Sequence, residues 1–182
     1  LLFALVFVSN GPFCVDESVH KAHETLDHLL YAIRGRLLIM EDVARWKWKT
    51  THPLEKGECE ESELNRFCTM CRESGIDTAL LTDICEAQFR AAAMVQIALF
   101  DTWLTSGCRR SGETTCPGYA LREEVATLTK RLLEAGVTAV PYVEGGLYVD
   151  YIAERASLIV KGRHITDEVR DEAIEPLVTP HR

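Results

Sequence analysis

Arg36 and Lys47 stand eleven residues apart, which on a helix is three turns plus about 20°, so both side chains leave from nearly the same face. Met40 and Val43 lie between them on that stripe and are apolar. Two cations on an inward-packing face need anionic partners, because an unpaired buried charge is costly. Those partners are either protein carboxylates or a bound anion. The spacing also permits a blander arrangement, two surface charges at the edge of an apolar stripe with their stems lying along it. If the partner is a ligand, the chemistry is anion recognition: Arg grips a carboxylate through a planar fork, and Lys acts as a mobile point charge.

The seven cysteines, Cys14, Cys59, Cys68, Cys71, Cys85, Cys108 and Cys116, are the other reactive groups. Cys68 and Cys71 make a C-x-x-C, but neither a second C-x-x-C nor a pair of histidines at zinc-ligand spacing accompanies it, so no metal site is expected. Cys108 and Cys116 flank a Gly/Ser/Thr-rich stretch, where a bridge would close a short loop and restrict the unfolded chain. That pair is the expected disulfide. So many cysteines point to an oxidising compartment, and their odd number leaves at least one thiol free, paired with another chain or removed with a leader.

Helices must position these groups. From about Ser18 to Lys49 apolar residues recur at three- and four-residue steps, and only Gly35 weakens the pattern, by about 1 kcal/mol relative to Ala. This predicts one long N-terminal helix, ended ahead of Pro53. A second helix is expected from about Leu54 to Ser74, with Glu55 and Glu58 near its positive end and Gly75 as its stop. A third should start at an Asp77 cap and end near Ser106 and Gly107. A fourth should span Tyr119 to Ala135 and stop at Gly136, with Val137 to Gly146, which contains Pro141, as a connection. A fifth is expected over Leu147 to Val160, and a sixth from a Thr166 cap to the residue before Pro176. Nothing alternates at period two for long enough to build a sheet, so the class is all-α, about six helices.

The 182 residues, 47% of them hydrophobic, suffice for one sizeable core. The formal charge of −8 and the lack of a long Lys/Arg cluster argue against nucleic acid as a partner. Leu1 to Val8 are apolar and resemble the end of a signal-peptide hydrophobic region. Residues 1–15 are accordingly expected to be the remnant of a signal peptide and leader, and 16–182 one helical domain; a buried first helix or strand is the alternative. No run approaches the ~20 apolar residues of a membrane span.

The run Arg36-Leu37-Leu38-Ile39-Met40-Glu41-Asp42-Val43-Ala44-Arg45-Trp46-Lys47-Trp48 resembles the R-L-x-x-x-x-x-V-A-x-F/W-K-W motif of the secreted gamma subclass of AroQ-type chorismate mutases. Pro53 and Glu55 fit the same pattern, as do Cys85-Glu86-Ala87-Gln88-Phe89-Arg90-Ala91, Phe100-Asp101-Thr102-Trp103 and Gly162-Arg163-His164-Ile165. The similarity extends over roughly residues 25 to 175. It implies the AroQ helical bundle, a homodimeric assembly in keeping with the family, and chorismate as substrate, rearranged to prephenate by an intramolecular pericyclic shift. Such a reaction asks for no nucleophile, metal or cofactor. It needs restraint of the reactive conformer and fixed donors at the ether oxygen where charge develops.

By the same resemblance, Arg36 matches the carboxylate-binding arginine of the first helix and Lys47 the catalytic lysine at the ether oxygen. Gln96 matches a position held by Glu or Gln, and its amide can donate without having to be protonated. Arg122 matches a second carboxylate-binding arginine, and Glu63 a group that contacts the substrate hydroxyl. Two positions depart from the pattern: Cys59 stands where an arginine is usual, with Lys56 nearby as a partial substitute, and Ala92 stands where Ser or Thr is usual. The alternative function is a secreted protein that keeps this fold but acts by binding a host protein, with catalysis reduced or lost. Secreted relatives are periplasmic bacterial enzymes or proteins that plant-associated fungi and nematodes deliver into hosts, and the cysteine content leans towards the latter.

Overall fold

A computed structural model describes residues 13–50, 69, 79–108 and 118–179. Within them the chain forms six helices: α1 (Phe13–Leu38), α2 (Met40–Thr50), α3 (Ala79–Thr105), α4 (Gly118–Val143), α5 (Val149–Ile159) and α6 (Asp167–Val178). No strand occurs among the described residues, only an isolated bridge between Gly162 and Ile165. The expected helix over residues 54–74, apart from the helical Thr69, and the Asp77 cap lie outside the described residues.

The helical period of α1 becomes a buried stripe. Leu26, Leu29, Leu30, Ile33 and Leu37 are each at most 1% exposed, and full burial of such a side chain contributes about 1.5–3 kcal/mol relative to exposure. Along this stripe α1 packs chiefly on α4 and also on α5, while α3 packs on α6 and α2. α3 is the most apolar of the helices and buries residues along its length, from Leu80 to Phe100. Among them are two polar ones, Gln88 and Gln96. Its C-terminus closes as a Schellman motif: the Cys108 N–H bonds to the Trp103 carbonyl, the Gly107 N–H to the Leu104 carbonyl, and Gly107 takes φ 68°.

Four boundaries differ from the sequence expectation. α1 starts at Phe13, about one turn before the expected start at Ser18. The single N-terminal helix is interrupted at Ile39, whose carbonyl accepts from both Asp42 N–H at 3.0 Å and Val43 N–H at 3.1 Å. A new helix therefore begins there. Glu41 and Asp42 sit in its first turn and Arg36 in the last turn of α1, each where the helix dipole favours its charge. α4 runs through Gly136 and Pro141 to Val143. Gly136 serves close packing instead of a stop, since a Cβ there would stand 3.0 Å from Leu81 Cδ2. The left-handed stop belongs to Gly146, with φ 64° and its N–H on the Val143 carbonyl. α6 begins at the expected Thr166 cap, whose hydroxyl accepts from Val169 N–H at 3.3 Å, but it continues past Pro176, which is buried with Leu177. In both helices the burial of the flanking side chains outweighs the hydrogen bond that proline removes.

Candidate functional site

Arg36 is 4% exposed, on the face of α1 that meets α3. Its Nη1 donates to the Gln88 carbonyl at 3.0 Å, and its guanidinium carbon lies 5.0 Å from the centre of the Phe89 ring. Gln88 is anchored in turn, its Nε2 donating to the Ala173 carbonyl of α6 at 3.1 Å. One turn beyond Arg36, Met40 meets Gln96: Gln96 Nε2 approaches Met40 Sδ at 3.5 Å. Gln88, Ala92 and Gln96 are spaced by four, so they form one stripe on α3. All three are buried. The Oε1 atoms of Gln88 and Gln96 find no hydrogen-bond partner among the described residues, and a buried orphan acceptor of this kind costs about 1–3 kcal/mol.

Lys47 is half-buried in the last turn of α2, between two tryptophans that serve different neighbours. Trp48 is buried against α3, edge-on to Phe100 with ring centres 5.1 Å apart and 5.6 Å from Trp103. Trp46 faces α4, where the exposed Arg122 rests over its ring at 5.6 Å. On this outer side of α2 a groove of about 340 Å³ is lined by Arg45, Trp46 and Lys49 and by Leu121 and Glu124 of α4.

The structure thus brings Arg36, Gln96 and Ala92 to one buried interface and sets Lys47 in the following helix, while Arg122 lies against the outer face of that helix. Glu63, Lys56 and Cys59 lie outside the described residues. The thiol of Cys108 is free and exposed, so the expected bridge to Cys116, itself outside the described residues, is not seen. The Schellman turn leaves Cys108 in solvent. Cys85, the other described cysteine, is buried.

Sequence reasoning assigned no role to Gln88 and Phe89, which form the seat of Arg36. The signals were that both fall in the family-like run from Cys85 to Ala91 and that Gln88 lies on the apolar stripe of α3. It equally missed the pairing of His164 with Glu41, 3.2 Å from Nε2 to Oε2. Among the described residues no cluster of His, Cys, Asp and Glu could hold a metal ion, and no helix is long and apolar enough to cross a membrane.

No protein-family model matches the chain, and no curated protein matches it. Solved structures do. A chorismate mutase from Burkholderia thailandensis superposes with a TM-score of 0.73 at 22% identity, covering 84% of this chain and 98% of that one. A secreted chorismate mutase from Yersinia pestis gives 0.65 at 18% identity, with 82% and 94% covered. One from Burkholderia phymatum gives 0.62 at 22% identity, with 87% and 98% covered. The fold of this chain is the all-helical fold of the chorismate mutases.

Proposed function

We propose that this protein is a chorismate mutase of the secreted gamma subclass, converting chorismate to prephenate at a site built on Arg36, Lys47 and Gln96. The observation that carries the reading is the burial of Arg36 beside a stripe of α3 that includes Gln96. In a chain with this fold, a guanidinium and a neutral amide donor at two family-matching positions suit a dicarboxylate that rearranges without proton transfer.

In this reading Arg36 grips one substrate carboxylate and holds the reactive conformer, so that part of the barrier is met by restraint of the bound substrate. Lys47 and the Gln96 amide donate to the ether oxygen as the C–O bond breaks. These interactions strengthen as charge develops, which is what accelerates the step. Arg122 would take the second carboxylate by leaving Trp46, and Glu63 the substrate hydroxyl. Cys59 and Ala92 supply less than the family pattern, with Lys56 the nearest substitute cation. The electrons move within one molecule, so the reaction consumes no cofactor. Secretion, to the periplasm or outside the cell, is supported by the seven cysteines and by the likeness to a secreted Yersinia protein. A homodimer is the assembly we propose.

A second reading is favoured by Ala92, an apolar residue buried one turn before Gln96, and by Cys59: a protein that keeps the fold and binds a host protein, with turnover reduced or lost. Following chorismate absorbance with the purified protein separates the two. A rate clearly above the uncatalysed background, lost in Lys47→Ala, supports the enzyme; no rate above background in the folded protein sinks it.

A further inference from the structure

Arg36 and Lys47 belong to two helices, so the angle at Ile39 sets where one stands relative to the other. Lys47 lies eight residues beyond the break, about 12 Å along α2 at 1.5 Å per residue, and a tilt of about 5° there displaces it by about 1 Å. The inner face of α2 is fixed on α3 through Trp48. Its first turn is held from another direction, by the turn between α5 and α6.

That turn straddles the break. Arg34 of α1 donates from Nε to the Lys161 carbonyl at 2.9 Å. Gly162 lies against the end of the exposed Leu38 side chain of α1, where an added Cβ would stand 2.5 Å from Leu38 Cδ2 and 3.1 Å from Ile165 Cδ1. His164 Nε2 lies 3.2 Å from Glu41 Oε2 on α2, near enough for an ion pair though not aligned as a hydrogen bond, and Glu41 Oε1 accepts from Arg45 at 2.8 Å. The turn is closed by the Ile165 N–H on the Gly162 carbonyl at 3.2 Å and is flanked by the buried Val160 and the Thr166 cap. Two of its contacts fall before Ile39 and one falls after it.

We propose that residues 161–165 brace the α1–α2 break, and that Gly162 and His164 are positioning residues that hold Lys47 in register with Arg36. The catalytic part of this statement rests on the chorismate mutase reading, whereas the mechanical part does not. A misplacement of about 1 Å costs up to about a hundredfold in rate. Because Lys47 acts on the breaking bond, the loss falls on kcat more than on KM.

The test combines kinetics on chorismate with hydrogen exchange of the intact chain. His164→Ala is expected to lower kcat about tenfold or more with KM changed less than about threefold, and His164→Lys, which keeps a cation within reach of Glu41, to recover most of it. Gly162→Ala should act in the same direction but more weakly, because the exposed Leu38 side chain can turn from the new methyl, and Leu38→Ala in the same chain should relieve it by removing the atom that methyl meets. In His164→Ala the amides of Met40–Thr50 should exchange faster, while those of Asp167–Val178 should not. An unchanged kcat with unchanged exchange in α2 overturns the proposal. So does faster exchange throughout the molecule, since that is general destabilisation. If the parent protein has no turnover, the chorismate reading fails and exchange alone decides: acceleration confined to α2 upholds the brace, and no change overturns it.

Discussion

The guanidinium of Arg36 donates to the backbone carbonyl of Gln88, so the buried cation of α1 is tied to main chain of α3 that cannot swing away. Phe89 lies beside the guanidinium in cation–π range, 5.0 Å from guanidinium carbon to ring centre. A cation held this way is oriented before any ligand arrives, which lowers the ordering cost of binding.

Arg36→Met should therefore cost both stability and function. Met keeps the length and removes the buried charge, but it also removes the bond to the Gln88 carbonyl and the contact with Phe89, a stability cost of about 1–3 kcal/mol. Loss of a charge-assisted bond to a substrate carboxylate costs about 1.5–3 kcal/mol, or about one to two powers of ten in kcat/KM. Thermal unfolding and chorismate kinetics on the same preparation check this. Unchanged kcat/KM in the folded variant would remove Arg36 from the site.

Ala92 and Cys59 are where the site is thinnest. Ala92 is 4% exposed and one turn before Gln96, so Ala92→Ser adds a hydroxyl beside the proposed ether-oxygen donors at small volume cost. Cys59→Arg restores the charge that the family pattern carries there. Each is expected to raise kcat/KM, the arginine by about tenfold or more, the worth of a charge-assisted hydrogen bond. A folded Cys59→Arg protein with an unchanged rate would show that position 59 does not face the substrate.

Acid stability should depend on a cluster far from the site. Asp27 of α1 accepts from Arg155 and Tyr151 of α5, and His23 stacks on Tyr151 with ring centres 3.8 Å apart. The Arg155 hydrogen bond, more than any other influence, holds the Asp27 carboxyl below its usual range. A carboxylate whose folded pKa is depressed contributes stability that is fully present above its unfolded pKa, near 4, and is lost as pH falls through the folded value. Asp27→Asn should thus lower Tm at pH 7, with the deficit shrinking below about pH 4. A deficit that is constant with pH would mean that Asp27 acts through packing or hydrogen bonding alone.

The helices were readable in the sequence because each buries one face, and burial leaves a 3.6-residue signature that no local conflict erases. Thr166 was readable as a cap, and Gly107 as a stop, because each acts through its own backbone neighbourhood. The interruption at Ile39 was not, since its restraints come from Lys161, Gly162 and His164, more than 120 residues away in sequence. Gly136 and Pro141 misled for a related reason. As punctuation they end helices, but Gly136 packs against Leu81, and Ala139 and Val143 bury on either side of Pro141. At the site the cation on α1 was legible from its motif, but its partner on α3 is a main-chain carbonyl, which no side-chain pattern encodes.

Gln96 offers the sharpest separation of stability from chemistry. Its amide is 3% exposed, with Nε2 on a methionine sulfur and Oε1 lacking a partner among the described residues. A polar group so poorly satisfied lowers stability by about 1–3 kcal/mol. Gln96→Met, close in shape and apolar, should accordingly leave Tm unchanged or raise it while lowering kcat, because the donor to the ether oxygen is gone. Gln96→Glu should keep the shape but make the donor depend on a proton: the rate should hold at low pH and fall above about pH 6–7, where a carboxyl tuned by burial ionises. The parent protein, whose amide never ionises, should show no such alkaline loss. A pH–rate profile of the parent and the two variants tests all of this at once, and an alkaline fall in the parent, or a Gln96→Met protein as fast as the parent, would take Gln96 out of the reaction.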